Sequence, residues 1–253
     1  MSTAANEPDP DWIVPDWPAP PGVRALVTTR AGGVSAGPYR SFNIGFSTGD
    51  DDRAVEANRA RLRSMLPAEP GWLKQVHGAH VVDAASVESR SEADAAFARS
   101  PGTVCAIQVA DCLPVLFAER GGSIVAAAHA GWRGLAAGVI DNTVAAMARV
   151  GARANEIIAY IGPGIGPTAF EVGDEVREAY VRRDAGAAAA FTAHGADKWL
   201  ADLPLLARRA LERCGVSAVS GGNLCTYSDA QRFYSYRRDI TTGRMAALIW
   251  IDR

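Results

Sequence analysis

Three apolar segments follow one another between Thr103 and His129 with very short gaps between them. Their sequences are TVCAIQVA, LPVLFAE and SIVAAAHA, and only DC and RGG separate them. Apolar, partly β-branched segments of this length are typical of strands. Parallel neighbours need a crossover connection of roughly a dozen residues or more, for which these gaps leave no room. The three segments are therefore predicted to pair antiparallel, at least in part.

The order of the other elements predicts an α+β fold in which layered mixed β-sheets are flanked by helices. Runs of strands without intervening helices, followed by helices, argue against a doubly wound sheet. The predicted elements are strands at Val23–Arg30 and IIAYIG, helices at Asp52–Leu66, Gly134–Val150, Gly173–Arg183 and Lys198–Cys214, and a terminal hairpin with arms Phe233–Arg237 and Met245–Ile251 around a TTG turn.

Two regions of unequal size are expected. Residues 1–22 are rich in proline and acidic residues and are predicted to form an irregular arm, whose Trp12, Ile13 and Trp17 pack onto the body. Residues 23–253 are predicted to form a single domain, because 253 residues with 48% hydrophobic side chains can bury one large core.

The charge balance excludes some classes of partner. Twenty-six basic and 28 acidic residues give a formal net charge of -2, so no overall field attracts nucleic acid or an anionic membrane. No basic leader or long apolar run stands out, and the protein is expected to be cytoplasmic. The four cysteines form no CxxC pair and are expected to be reduced, with Cys105 and Cys214 as structural residues.

Two short segments place possible metal ligands where apolar runs end. Cys112 lies in ADCLP on a turn that Pro114 stiffens, and His129 lies in AHAGWRG before a predicted helix. His77 in KQVHGAH supplies a third donor. Two imidazoles and one thiolate on one ion leave a fourth position open, which is typical of catalytic zinc. Taken singly, each has a structural explanation: a core histidine, a packed cysteine and a loop histidine.

Several motifs in order resemble the multicopper polyphenol oxidoreductase, or laccase-domain, family, which includes members named purine nucleoside phosphorylase and peptidoglycan editing factor. The motifs are TTRAGGVSAGPYRSFNIG, KQVHG, ADCLP, AHAGWRG, IGPGIGPTAFEVG and SYRRDITTGR. The resemblance implies that His77, Cys112 and His129 bind one zinc ion and act in catalysis. It also implies a fold similar to a toxin deamidase of the cytotoxic necrotizing factor type, with 23–253 as the laccase-family catalytic domain.

The resemblance places four further residues at the substrate. Arg30, Asn43 and Gln75 match motif positions expected to face the pocket, and Arg133 is expected to hold an anionic oxygen. IGPGIGPTAF departs from members with cysteines in this loop, since Gly164, Thr168 and Ala169 stand where thiols occur.

Three functions follow, in order of preference. The first is a zinc enzyme that phosphorolyses adenosine, inosine and methylthioadenosine and also deaminates adenosine, with small-molecule partners only. The second is a metal-independent hydrolase with Cys112 as nucleophile and His129 as base, editing peptidoglycan precursors. The third is a copper-dependent polyphenol oxidase; four histidines are too few for a multicopper cluster, although the Cys-His-His set also suits a single copper ion.

Overall fold

The computed structural model describes residues 9–87 and 91–252, and the prediction for residues 1–8 of the arm lies outside this range. The strands are β1 Val23–Val27, β2 Val81–Asp83, β3 Ala95–Ala98, β4 Val104–Val109, β5 Leu113–Glu119, β6 Val125–Ala130, β7 Ile157–Ile161, β8 Glu171–Gly173, β9 Phe191–Ala193, β10 Lys198–Ala201, β11 Ala218–Gly221 and β12 Met245–Ile251. The α-helices are α1 Asp52–Arg63, α2 Trp132–Ala137, α3 Val139–Arg149, α4 Asp174–Val181, α5 Leu203–Arg213 and α6 Tyr236–Asp239.

The strands form three sheets. The largest has the order β11-β7-β5-β6-β3-β2, with antiparallel pairs at its centre and a parallel pair at each edge. A three-stranded antiparallel sheet has the order β1-β12-β4, and a small antiparallel sheet has the order β8-β10-β9. The prediction of an α+β fold with mixed sheets is confirmed.

The central strands are buried on both faces, which explains their unbroken apolar sequences. Along β5, Val115 and Phe117 pack in one core with α2, α3 and α5, while Leu116 and Ala118 pack in another with β4 and β12. The β1-β12-β4 sheet therefore covers one face of the large sheet, and helices cover the other. None of the helices in the described residues combines the length and apolar character that a membrane span needs.

The prediction for the three apolar segments is confirmed for two of them and wrong for the first. Strands β5 and β6 pair antiparallel, but β4 pairs with β12 in the neighbouring sheet. The predicted terminal hairpin is also wrong, because Tyr236–Asp239 forms α6 with Ser235 as its N-cap. Strand β12 finds both of its partners, β1 and β4, far away in sequence.

Two predicted helices are shorter than expected. The segment Gly134–Val150 is divided at Gly138, whose φ of 92° ends α2 and begins α3. In Lys198–Cys214 the first four residues form β10, and α5 begins after Asp202, whose side chain accepts a hydrogen bond from Leu205 N at 2.8 Å. An N-cap of this kind fixes the start of a helix.

The arginines of α1 do not form a purely solvated face, in contrast to the usual expectation for such a helix. The Arg59 guanidinium lies 4.1 Å from the ring centre of Trp72 and 4.6 Å from that of Phe46. It also donates a hydrogen bond to the carbonyl of Ile44. Stacking on two aromatic rings contributes a cation–π attraction that makes Arg59 part of the packing.

The described part of the N-terminal arm packs on the body through three apolar side chains. Trp12 is buried, with its ring 4.8 Å from that of Phe42, and Ile13 forms an antiparallel bridge with Val27. Trp17 lies 6.2 Å from the ring of Tyr160.

Candidate metal centre and active site

The antiparallel pairing of β5 and β6 places two donors at one sheet edge. Pro114 lies opposite His129 in the register, so Cys112, two residues before Pro114, lies beside the end of β6. His77 comes from the loop that precedes β2. The donor atoms of His77, Cys112 and His129 all lie within 4.8 Å of one another. This is the one cluster of three or more potential metal ligands in residues 9–87 and 91–252.

A buried carboxylate organises both histidines. Asp94, which is fully buried, immediately precedes β3 and lies beside His129 in the sheet. Its oxygens accept hydrogen bonds from the backbone N–H groups of Val76 at 3.1 Å, His77 at 2.9 Å and Gly78 at 2.7 Å. Asp94 Oδ1 also lies 2.8 Å from His129 Nδ1. Since Nδ1 is occupied in this way, His129 Nε2 is left as the ligand atom, as is usual for metal-bound histidines.

The backbone conformation of His77 depends on this carboxylate. Its φ of 60° lies in the left-handed region, which residues other than glycine adopt rarely and at a cost. Three successive backbone N–H groups directed at Asp94 stabilise the turn. The loop therefore presents His77 to the site at the expense of backbone strain.

Two glycines of AHAGWRG allow the loops to approach closely. A Cβ atom on Gly131 would lie 2.6 Å from Cys112 Sγ, and a Cβ on Gly134 would lie 2.7 Å from the carbonyl oxygen of Gly78. Neither distance is compatible with a side chain at either position, because both are shorter than van der Waals contact. Glycine at these positions thus keeps the thiol and the His77 loop in place.

The side chains of Cys112, His129 and Asp94 stabilise one another electrostatically. Burial raises the pKa of Cys112, but the charge of His129 and hydrogen bonds from His129 and His77 outweigh it, so the pKa falls below its ordinary value. Burial lowers the pKa of His129, and the neighbouring Cys112 and Asp94 raise it overall. Burial also opposes ionisation of Asp94, whose pKa is nevertheless lowered by hydrogen bonds from His129 and Gly78. The arrangement favours a thiolate beside an imidazolium.

The donor set fits a metal ion. A thiolate and two imidazoles are ligands that zinc accepts, with a fourth position for water or substrate. The lowered pKa of Cys112 favours the thiolate form that metals bind. The outer partner of His129, Asp94, is the kind of residue that orients metal ligands.

The donors open into a cavity of about 640 Å³, large enough for a small organic molecule. Gln75 and Arg133 line it, together with Trp132, Phe170 and other side chains. The amide of Gln75 is held by the backbone of Gln108, with Nε2 donating to its carbonyl and Oε1 accepting from its N–H, both at 2.8 Å. A neighbouring cavity of about 710 Å³ near Trp72 contains none of the three donors.

Arg30 and Asn43 are not among the described residues that line this cavity. The Arg30 guanidinium donates to the carbonyls of Arg40 and Ala230, both at 2.9 Å, and lies over the ring of Tyr234. Asn43 is fully buried and binds the loop around it. Both side chains hold loops together through these hydrogen bonds, and a role for either residue at the substrate stays a prediction.

Sequence reasoning missed three residues that the structure places at the site. Asp94 lies in EADAAF, where only its position before an apolar strand marked it. Arg237 and Arg244 line the cavity and lie in SYRRDITTGR, a segment assigned to a hairpin. Their role depends on contacts between distant parts of the chain, which no local pattern indicates.

Comparison with known proteins identifies the family. A family described as multi-copper polyphenol oxidoreductase laccase matches residues 24–252. The chain belongs to this laccase family. The predicted resemblance is thus confirmed, and His77, Cys112 and His129 form the one group in the described residues that could hold a metal ion.

Relatives and solved structures support the assignment over nearly the whole chain. Purine nucleoside phosphorylase YfiH of Escherichia coli (strain K12) is 54% identical over 242 residues, covering 94% of this chain and 98% of that protein. Purine nucleoside phosphorylase PA4543 of Pseudomonas aeruginosa is 52% identical, covering 95% and 98%. The crystal structure of Neisseria meningitidis protein NMB0706 has a TM-score of 0.92 at 48% identity, covering 96% of this chain and 100% of that one. Geobacillus stearothermophilus YlmD has a TM-score of 0.89 at 31% identity, covering 96% of each chain.

Proposed function

We propose that this laccase-family protein is a zinc-dependent purine nucleoside phosphorylase acting on adenosine, inosine and methylthioadenosine. The observation that carries the proposal is the convergence of the donor atoms of His77, Cys112 and His129 within 4.8 Å of one another in the lining of a cavity. The names of relatives with more than half of their residues identical support the reaction class. The substrates are small molecules, and no macromolecular partner is needed.

Zinc is the metal that the donors favour. One thiolate and two imidazoles match the ligand preference of zinc. Copper is the alternative metal, because it also binds the soft thiolate sulfur and imidazole nitrogens. When bound, zinc supplies a Lewis acid that polarises an oxygen of phosphate or water. A multicopper cluster is inconsistent with four histidines in the whole chain.

Phosphorolysis exchanges one bond for another. A phosphate oxygen forms a bond to ribose C1', the bond from C1' to purine N9 breaks with its electrons passing to the base, and the base takes up a proton. The protein contributes by holding the reactants in line, which lowers the entropic cost of a reaction between two molecules. Arg133, an exposed cation on the cavity wall, is proposed to hold an anionic oxygen, and Gln75 to form part of the substrate surface.

Deamination of adenosine is proposed as a second activity of the same site. Water attacks purine C6, the bond from C6 to the exocyclic nitrogen breaks, and ammonia leaves with inosine as product. The familiar nucleobase deaminases use H-x-E and P-C-x-x-C motifs, which are missing around His129 and Cys112.

A hydrolase is the second candidate, and one observation favours it. Cys112, His129 and Asp94 form a chain in which a carboxylate holds an imidazole beside a thiol of lowered pKa. This resembles the nucleophile, base and orienting group of cysteine hydrolases. The substrate would be an amide of a peptidoglycan precursor, and the resemblance to a toxin deamidase fold stays a prediction that belongs to this candidate.

The experiment that separates the two incubates zinc-loaded protein with adenosine and phosphate, with and without chelator. Chelator-sensitive release of adenine and ribose 1-phosphate is expected for the phosphorylase. Cys112→Ala should abolish turnover, whereas Cys214→Ala, a change at a thiol far from the ligands in the sequence and at the end of α5, should retain it. Unchanged adenosine together with chelator-resistant amide hydrolysis would replace the phosphorylase by the hydrolase.

A further inference from the structure

Arg244 is a half-buried cation of the cavity without an acidic partner. Arg244 lines the cavity together with Cys112 and Asp111 and is half-buried. Within the described residues, its guanidinium lies within 4.0 Å of no carboxylate, since none of the ion pairs there includes it. Burial lowers the pKa of Arg244, against the raising effect of the nearby Cys112 and Asp111. A cation in this position is costly unless a charged group pairs with it.

The hydrogen bonds of Arg244 leave donors free for a ligand. Nη1 donates to the carbonyl oxygens of Thr242 at 3.2 Å and of Gly243 at 2.9 Å. A guanidinium carries five N–H donors, so Nε and Nη2 keep theirs. Neither has a protein acceptor in the described residues. Two parallel N–H groups match two oxygens of a phosphate or carboxylate.

The carboxylate closest in sequence to Cys112 does not neutralise this cation by contact. Asp111 is buried, its Oδ1 accepts the hydroxyl of Thr226 at 2.6 Å, and its Oδ2 accepts Arg237 N at 2.6 Å. Both oxygens are therefore occupied in holding the segments around Thr226 and Arg237. The position of Asp111 favours positive charge at Arg244 from a distance while leaving its donors open.

The SFNIG segment holds Arg244 in this position. Asn43 Oδ1 accepts the backbone N–H of Arg244 at 2.8 Å and that of Gly45 at 3.0 Å. A Cβ atom on Gly45 would lie 2.8 Å from Arg244 Cγ, so glycine leaves the space that the arginine stem occupies. The buried amide of Asn43 thus fixes the backbone of Arg244, and Gly45 leaves room for its Cγ atom. The guanidinium is positioned before any ligand arrives, which reduces the entropy lost on binding.

The other two arginines of the cavity differ from Arg244. Arg133 and Arg237 are exposed, and water screens their charges. Arg237 donates to the carbonyl of Glu171 at 2.8 Å and lies over the ring of Phe170, while Arg133 lies over the ring of Trp132. Their contribution to anion binding is therefore expected to be weaker than that of the half-buried Arg244.

We infer that Arg244 binds the inorganic phosphate that attacks the nucleoside, holding two of its oxygens on the wall of the cavity that also contains Cys112. The inference rests on the proposed phosphorylase function and names the residue that recognises its second substrate. It also assigns a role to the SFNIG and TTGR segments, which supply the support and the guanidinium of one phosphate site.

The test measures phosphate binding and turnover separately in zinc-loaded protein. Isothermal titration with inorganic phosphate compares the unchanged chain with Arg244→Gln, Arg244→Lys and Arg133→Gln. The variant Arg24→Gln, at an exposed residue of β1, controls for the loss of one positive charge. The KM for phosphate and the KM for adenosine are measured for each variant. Zinc content and circular dichroism show that every variant is loaded and folded.

The expected result is at least a 10-fold weaker phosphate affinity and a similar rise in the KM for phosphate for Arg244→Gln, with the KM for adenosine changed less than 2-fold. Arg244→Lys keeps the charge but not the paired donors, and it should recover only part of the affinity. The loss for Arg133→Gln should be smaller than that for Arg244→Gln.

Three further outcomes test the inference, and the first two separate it from the proposed function. Phosphorolysis with an unchanged KM for phosphate in Arg244→Gln would overturn the inference while leaving the phosphorylase in place. Phosphate binding that depends on Arg244, in a chain that does not phosphorolyse nucleosides, would support an anion site at Arg244 and reject the phosphorylase. Equal loss of phosphate and adenosine affinity in Arg244→Gln would count against a phosphate-specific role.

Discussion

Asp94 and Asn43 are two buried side chains that each organise a loop, and they differ in what else they contact. Each is fully buried and each accepts backbone N–H groups, three for Asp94 and two for Asn43. Asp94 also contacts the imidazole of His129, a candidate metal ligand, directly at 2.8 Å. Asn43 instead bonds three residues that line the cavity, Gly45, Thr48 and Arg244, and contacts none of the three donors. The charged residue is expected to set the properties of the metal centre, and the neutral one the position of a loop.

The largest expected effect concerns the protonation of Cys112, whose neighbour His129 is held by Asp94. In metal-free protein the neighbouring His129 lowers the pKa of Cys112 from 9.0 to about 6 against the opposing effect of burial. A lowered pKa means that the thiolate is present above about pH 6 and is lost as the pH falls through that value. Site-resolved alkylation of Cys112 with iodoacetamide should therefore rise with pH around a midpoint of about 6.

His129→Gln removes the positive neighbour and should move this midpoint upward. Asn43→Ala should leave it unchanged, because Asn43 contacts no member of the thiol network. A midpoint near 9 in the unchanged chain would show that Cys112 and His129 do not form a charged pair without metal.

The second effect is on metal affinity. Asp94→Asn retains the shape of the side chain but replaces one of its two acceptor oxygens by an NH2 donor. Four N–H groups point at the carboxylate, so some of them lose their acceptor in the variant. Loss of such a partner of a metal-bound histidine typically costs about 10- to 100-fold in metal affinity. Competition with a chromophoric chelator measures the zinc dissociation constant, and the same loss is expected here.

Asp229→Asn is the matched control, since Asp229 pairs with Arg232 on the surface and touches none of the donors. Unaltered zinc affinity in a folded Asp94→Asn protein would mean that His77 and His129 keep their positions without the carboxylate.

The sequence indicates the candidate metal ligands more clearly than the residues that support them. His77, Cys112 and His129 lie in motifs whose glycines and prolines mark turns, and their types and positions together predicted one site, where the structure brings them within 4.8 Å. The α+β class followed from strands without crossovers. The partner of β4 was missed because β12 is more than a hundred residues away, and pairing at that distance leaves no local pattern. Asp94 was missed for the same reason, since its function appears only when β3 lies beside β6.

Arg30 and Asn43 lie in a polar motif that was predicted to face the substrate, and in the structure their side chains also bind the protein itself. Glycine-rich and serine-rich segments suit ligand binding and also suit irregular loops, whose buried backbone groups need hydrogen-bond partners. Sequence alone does not distinguish these two uses. In the structure the two hydrogen bonds that the Arg30 guanidinium donates end on the backbone carbonyls of Arg40 and Ala230, which favours the use in an irregular loop.

The smallest expected effect is that of Asn43→Ala on folding stability and phosphate binding. Asn43→Ala removes the acceptor of two N–H groups, and a buried donor left unsatisfied costs about 1–3 kcal/mol of folding free energy. Chemical denaturation should show a loss in that range, together with weaker phosphate binding because the backbone of Arg244 loses its anchor. Zinc affinity should stay within 2-fold of the unchanged chain, in contrast to Asp94→Asn.

Asn142→Ala is the control, a change at an exposed asparagine of α3 that donates one hydrogen bond to the carbonyl of Ala79. Equal losses of zinc affinity in Asn43→Ala and Asp94→Asn would mean that the two loops form one cooperative unit and that the difference between Asp94 and Asn43 does not hold.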